Sequence, residues 1–185
     1  MVSARLGSMA AGVALACLIV SAARGQSLPS ASALGSLNLA GNEPSYLDFG
    51  AGAFDIQHHE HSSTTGEGRI EIRYGRKLFY LGPAIGLLAN GQGGVFGYAG
   101  LYSDLVFGRF VLTPLGAVGG YDRGRSEDLG GTFQFRLSAN LAYELDDHSR
   151  IGVQFAHISN ADIHNRNPGD NELLVTYAIP LHLPF

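Results

Sequence analysis

Ser159 and His157 are the two residues of this chain whose types and spacing can carry out covalent chemistry. On a β-strand, side chains two positions apart share a face, and backbone rise separates them by about 6.5 to 7 Å. A twist or a bulge would bring hydroxyl and imidazole into hydrogen-bond reach. A serine beside a histidine that can take its proton is the smallest unit of an activated nucleophile. Taken alone the pair is weak, because a histidine near a serine at a strand end is usually a solvated rim residue. His58, His59 and His61 surround Glu60 and are ligand types, but they fall in a loop whose geometry cannot be read from sequence, so neither a metal nor a cofactor is expected. Asp162, His164 and Asp170 read as loop residues facing water. Arg123 and Arg125 share a polar loop with Asp122, Glu127 and Asp128, where they either meet phosphate or are simply solvated.

The elements that position these residues read as strands and turns throughout. From Thr132 to Leu145, Phe133, Phe135, Leu137, Ala139, Leu141, Tyr143 and Leu145 alternate with Thr132, Gln134, Arg136, Ser138, Asn140, Ala142 and Glu144. Alternation this long, apolar on one face and polar on the other, marks a strand that crosses a membrane in a barrel. Seven more strands are predicted near 45 to 57, 67 to 78, 81 to 89, 94 to 104, 106 to 118, 148 to 159 and 171 to 185. The fold class is therefore all-β, an eight-stranded antiparallel transmembrane β-barrel. Its interior has room only for side chains, which disfavours a channel.

Connections at 58 to 66, 89 to 94, 119 to 131 and 160 to 170, which include the long polar ones, alternate with tighter turns near 75 to 80, 103 to 106 and 145 to 148. In such barrels long loops face outward and short turns face the periplasm. In the seventh strand Ile151, Val153 and Phe155 form the apolar face, and the same parity carries His157 and Ser159 onto the lipid side at the extracellular end. Polar groups there are costly unless their hydrogen bonds are made.

Residues 1–25 have the layout of a secretory signal peptide: a basic residue, Arg5, then an apolar run from Met9 to Val20, then Ala23-Arg24-Gly25 as a cleavage site. Residues 26–185 form the barrel domain. The formal charge of −4 becomes more acidic once Arg5 and Arg24 leave with the leader, so nucleic acid is excluded as a partner. The one cysteine, Cys17, leaves too, and no intrachain disulfide can form. The chain ends with apolar residues at every second position up to Phe185, like the terminal signal of outer-membrane barrels. Pro180 and Pro184 cannot donate to a ladder, which predicts a bend or bulge there.

The segment Phe155-Ala156-His157-Ile158-Ser159-Asn160-Ala161-Asp162-Ile163, followed by Asn167-Pro168-Gly169, resembles the lipid A 3-O-deacylases of the PagL family, in which His-x-Ser-Asn-Ala precedes an Asn-x-Gly turn. The motif covers about fifteen residues, and the barrel layout agrees with it along the whole chain. The resemblance implies an ester hydrolase embedded in the Gram-negative outer membrane, acting on lipid A of lipopolysaccharide in the outer leaflet. His157 would be the general base, Ser159 the nucleophile and Asn160 a stabiliser of the oxyanion. The family's third member is a Glu two residues past the turn glycine. That position is Asn171 here, and the carboxylate comes one later, at Glu172. Parity favours Asn171 and charge favours Glu172, which a single bulge would bring round; Glu172 is the expected acid. A structural or adhesive barrel without activity and a phospholipase-type barrel enzyme are the alternatives, and a homodimer is left open.

Overall fold

The computed structural model describes residues 37–56 and 63–181. The leader at 1–25, the cluster of His58, His59, Glu60 and His61, and the terminal Pro184 and Phe185 lie outside the described residues.

The described chain is all strand: β1 (Asn38–Leu39), β2 (Ser45–Phe54), β3 (Thr65–Arg73), β4 (Gly82–Asn90), β5 (Val95–Tyr102), β6 (Leu105–Phe107), β7 (Phe110–Asp122), β8 (Phe133–Glu144), β9 (Arg150–Ser159) and β10 (Asp170–Leu181). Each long strand pairs antiparallel with the next, β10 pairs back onto β2, and the barrel of eight strands is closed. Closure leaves no open sheet edge, the condition for placing strands in lipid. On β8, Leu137 and Leu141 are exposed while Gln134, Arg136, Ser138 and Asn140 are buried. This is the inverse of a soluble protein.

Two sequence expectations are corrected. The turn predicted near 103 to 106 lies later: β5 and β6 form one interrupted strand, and the chain reverses at Gly108–Arg109, where Gly108 has φ 62° and Phe107 stacks on Phe110 at 5.8 Å. The alternation through Val106 and Phe107 obscured the break, and the glycine that allows the left-handed turn marks it. No bulge interrupts the pairing around Pro180 either, since β10 keeps register with β2 through Pro180↔Tyr46 to Leu181↔Ser45. The ladder of β10 with β9 has already ended at Ala178. A residue without an N–H is tolerated where one neighbour is missing.

The interior is filled by ion pairs. Asp48 takes Arg69 and Arg73, each at 2.5 Å; Glu71 lies 3.3 Å from Arg69 and accepts the Tyr98 hydroxyl at 2.7 Å. Arg136 pairs with Glu172 and donates to Gln154. Charges out of water must be matched in this way, and the matched set occupies the space a channel would need.

At the short-turn end, β1 adds to β6 and a second network forms the floor. Asp104 accepts Lys77 at 2.7 Å and the Thr113 hydroxyl, and Arg150 reaches Glu43 at 3.2 Å and Glu144 at 3.0 Å. Asp104→Asn is expected to cost about 3 kcal/mol at neutral pH, because it takes from Lys77 its nearer counter-charge and leaves only Glu43, at 3.5 Å. The measurement is the temperature at which the folded gel band converts to the unfolded one, and equal midpoints for variant and parent would refute the role.

Candidate active site

Three adjacent strands present the chemistry near the long-loop end of the barrel. Register aligns Leu137 of β8, His157 of β9 and Asn171 of β10, and places Ser159 opposite Phe135. Along β9, Gln154, Ala156 and Ile158 turn inward and are buried, so His157 and Ser159 fall on the outer wall, half-buried among exposed Leu137, Val153 and Leu173. The outward parity read from Ile151 and Val153 holds to the end of the strand.

His157 Nδ1 lies 2.8 Å from Asn171 Oδ1. An amide oxygen only accepts, so the proton sits on Nδ1 and the lone pair is at Nε2, the arrangement a general base needs. Gly169, at φ +70°, passes directly against the ring: a Cβ there would stand 2.8 Å from His157 Cε1 and 3.3 Å from Nε2. Glycine is required at this position both for its backbone angle and for the room it leaves the imidazole. The Ser159 hydroxyl makes no hydrogen bond among the described residues, so it is free to rotate toward Nε2, and catalytic contacts of this kind commonly tighten only with substrate bound.

The expected acid is elsewhere. β10 runs in regular register, Asn171↔His157 and Glu172↔Ala156, with no bulge between them. Glu172 therefore points into the barrel, fully buried, and pairs with Arg136. Alternation along the strand, not charge, decides which neighbour meets the imidazole.

Asn160 also differs from its expected position. It is fully buried and faces inward, its amide donating to Leu129 O and Arg166 O, both at 2.7 Å, while Asn167 Oδ1 accepts its backbone N–H at 3.0 Å. All its N–H groups are engaged, so it ties the 123–132 and 160–169 loops together instead of pointing at the Ser159 face. Arg166 reinforces the tie through Glu127 at 2.7 Å. Asp170 is not a solvated loop residue either: it opens β10, is buried, and accepts the Asp55 N–H at 2.9 Å. Asp162 is exposed, as expected, and His164 packs against Gly131. The consecutive positive φ angles of Ala161 and Asp162, which turn the chain so that Asn160 can act as this clamp, had no sequence signal beyond the Asn-Ala-Asp composition.

A closed antiparallel barrel with its apolar residues outward and its charges inward is an integral outer-membrane-type barrel, and the family to which the chain is matched makes it an ester hydrolase. A family model described as lipid A 3-O-deacylase (PagL) matches residues 46–180, and the chain belongs to that family. Among solved structures it is similar to the outer-membrane enzyme PagL, with TM-score 0.59 and 16% identity, covering 74% of this chain and 99% of that one. It is also similar to a de novo designed transmembrane β-barrel (TM-score 0.57, 11% identity, 78% of this chain and 100% of that one). Neisserial surface protein A is a third (TM-score 0.53, 14% identity, 77% and 100%). At these identities the likeness is one of fold. No curated protein matches the chain.

Proposed function

We propose that this protein hydrolyses the ester-linked acyl chain at the 3-position of lipid A in the outer leaflet, with Ser159 as nucleophile, His157 as base and Asn171 as a neutral orienting residue. The observation that carries the reading is the 2.8 Å contact between His157 Nδ1 and Asn171 Oδ1, with Ser159 on the same outer face. Ser159 Oγ attacks the acyl carbonyl carbon as its proton passes to His157 Nε2. The tetrahedral adduct collapses, the sugar oxygen leaves with that proton, and an acyl-serine remains. Water then attacks the acyl carbon, gives a proton to Nε2, and collapse returns a proton to Ser159 as the 3-hydroxy fatty acid departs.

The location of the pair supports the substrate class. A nucleophile on the outside of a barrel is presented to lipid acyl chains lying along the wall, not to solutes inside it. With the long loops outward, as in other outer-membrane barrels, it stands at the level of the outer leaflet, where lipopolysaccharide is the neighbour.

The purified protein, incubated with lipopolysaccharide in the presence of a chelator, is expected to remove one hydroxyacyl chain per lipid A, read by mass spectrometry. Unchanged lipid A would overturn the reading. Release of fatty acid from glycerophospholipid that stops with chelator would point to the phospholipase-type alternative.

A further inference from the structure

The loop between β7 and β8 encloses a cleft of about 620 Å³ at the long-loop end, lined by Tyr121, Arg123, Asp128, Leu129 and Thr132, with Val95 from β5. Its floor is fixed. Tyr121 and Leu129 are buried, Tyr121 donates to Glu127 O, and the Leu129 carbonyl is held by both Gln134 and Asn160. Its polar wall is accessible: Arg123 Nη1 lies 3.2 Å from Asp128 Oδ2, with both side chains substantially exposed, while Asp128 Oδ1 caps the Gly130 N–H. Of the other acids, Glu127 is committed to Arg166, while the exposed Asp122 also lines the cleft and accepts the Gly124 N–H on Oδ1. The Arg123 guanidinium uses one edge on Asp128 and keeps the rest of its donors for a ligand.

The near edge of the cleft lies above the candidate site. Thr132 stands three residues up the β8 side from Phe135, and Phe135 is opposite Ser159. At strand rise this sets Thr132 about 10 Å along the wall and one strand across from the nucleophile, with the rest of the cleft over β7 and β5. An acyl ester at Ser159, with its chain directed down the barrel wall, has its sugar on the side of the loops. An open cleft that offers the exposed Thr132 hydroxyl and the Asp122 carboxylate beside Gly120 and Gly131 matches a sugar there, and a guanidinium matches a phosphate.

We propose that this cleft is the head-group subsite of the substrate, taking a phosphorylated sugar with Arg123 on the phosphate and Asp128 as the group that restrains Arg123. The proposal rests on the lipid A reading above, and its test is one of binding, so that it does not depend on turnover. The full-length protein carrying Ser159→Ala, in detergent, is titrated by calorimetry with phosphorylated lipid A and with the same lipid stripped of phosphate. Arg123→Ala on this background is expected to weaken binding of the phosphorylated lipid by roughly 10-fold, the range of a lost charge-assisted hydrogen bond. It should leave the stripped lipid within about 2-fold. Asp128→Asn keeps the cap on Gly130 but removes the competing charge, and should tighten the phosphorylated lipid. Opposite signs for the two variants, confined to the phosphorylated lipid, support the subsite. Equal effects on both lipids, or none on either, overturn it. Failure of the wild-type protein to deacylate lipid A, by contrast, overturns the functional reading and leaves the binding result to stand by itself.

Discussion

Ser159→Ala and His157→Ala are each expected to reduce lipid A deacylation by at least about 10³-fold, since residues that act as one unit fail together when either is removed. Ser159 supplies the atom that bonds to the acyl carbon. His157 Nε2 is the base that strand parity puts on the same outer face as Ser159, whereas it turns the neighbouring carboxylates Asp170 and Glu172 inward, where both are buried. Both reacting side chains are half-buried on the lipid-facing wall and neither fills the interior, so the barrel should form normally in both variants. Heat-modifiable migration of the folded band provides that control. The readout is the rate of hydroxy fatty acid release from lipopolysaccharide. A folded Ser159→Ala protein that kept a tenth or more of the activity would remove Ser159 from the mechanism and with it the proposed acyl-serine.

The second large effect separates two neighbours on β10. Asn171→Ala removes the acceptor that holds Nδ1–H and sets the base at Nε2, so the catalytic rate is expected to fall about 10²-fold, less than the loss seen where a charged orienting acid is replaced. Its stability should change little, because the amide, though buried, packs on the outer wall against His157 and fills none of the interior. Glu172→Gln should do the reverse. Glu172 is fully buried and paired with Arg136, and neutralising one member of a buried pair leaves the other charge uncompensated, at about 3 to 5 kcal/mol. The rate constant of the folded fraction should stay within about 3-fold of the parent, since the carboxylate and the imidazole are on opposite faces of the barrel wall. Asn171→Asp is the informative third variant: it offers the imidazolium a charge that the amide lacks, and should match or exceed the parent rate. If Glu172→Gln slowed the reaction while Asn171→Ala did not, the orienting role assigned to Asn171 would be wrong.

The barrel was legible in the sequence because its physics is local. Lipid outside and packed charge inside impose a period of two on every strand, and Phe133 to Leu145 shows that period without interruption. The same rule carried His157 and Ser159 correctly to the outer wall, since each strand position determines its own face. What could not be read locally was which residue of one strand stands beside which residue of the next. Asn171 and Glu172 are adjacent in sequence, and chemical affinity for an imidazole favours the carboxylate. Parity already favoured Asn171, and the antiparallel register of β9 with β10, kept without the bulge that Glu172 would have needed, sends Asn171 to His157 and Glu172 to Arg136, a partner on β8. Asn160 was misread for a related reason. Its neighbours in the motif are catalytic types, but its three N–H groups are engaged by Arg166 and Asn167 of its own loop and by Leu129 of the β7–β8 loop, which meets it only when the barrel closes. Alternation along a strand belongs to the sequence, whereas pairing across strands and the meeting of loops belong to the closed barrel.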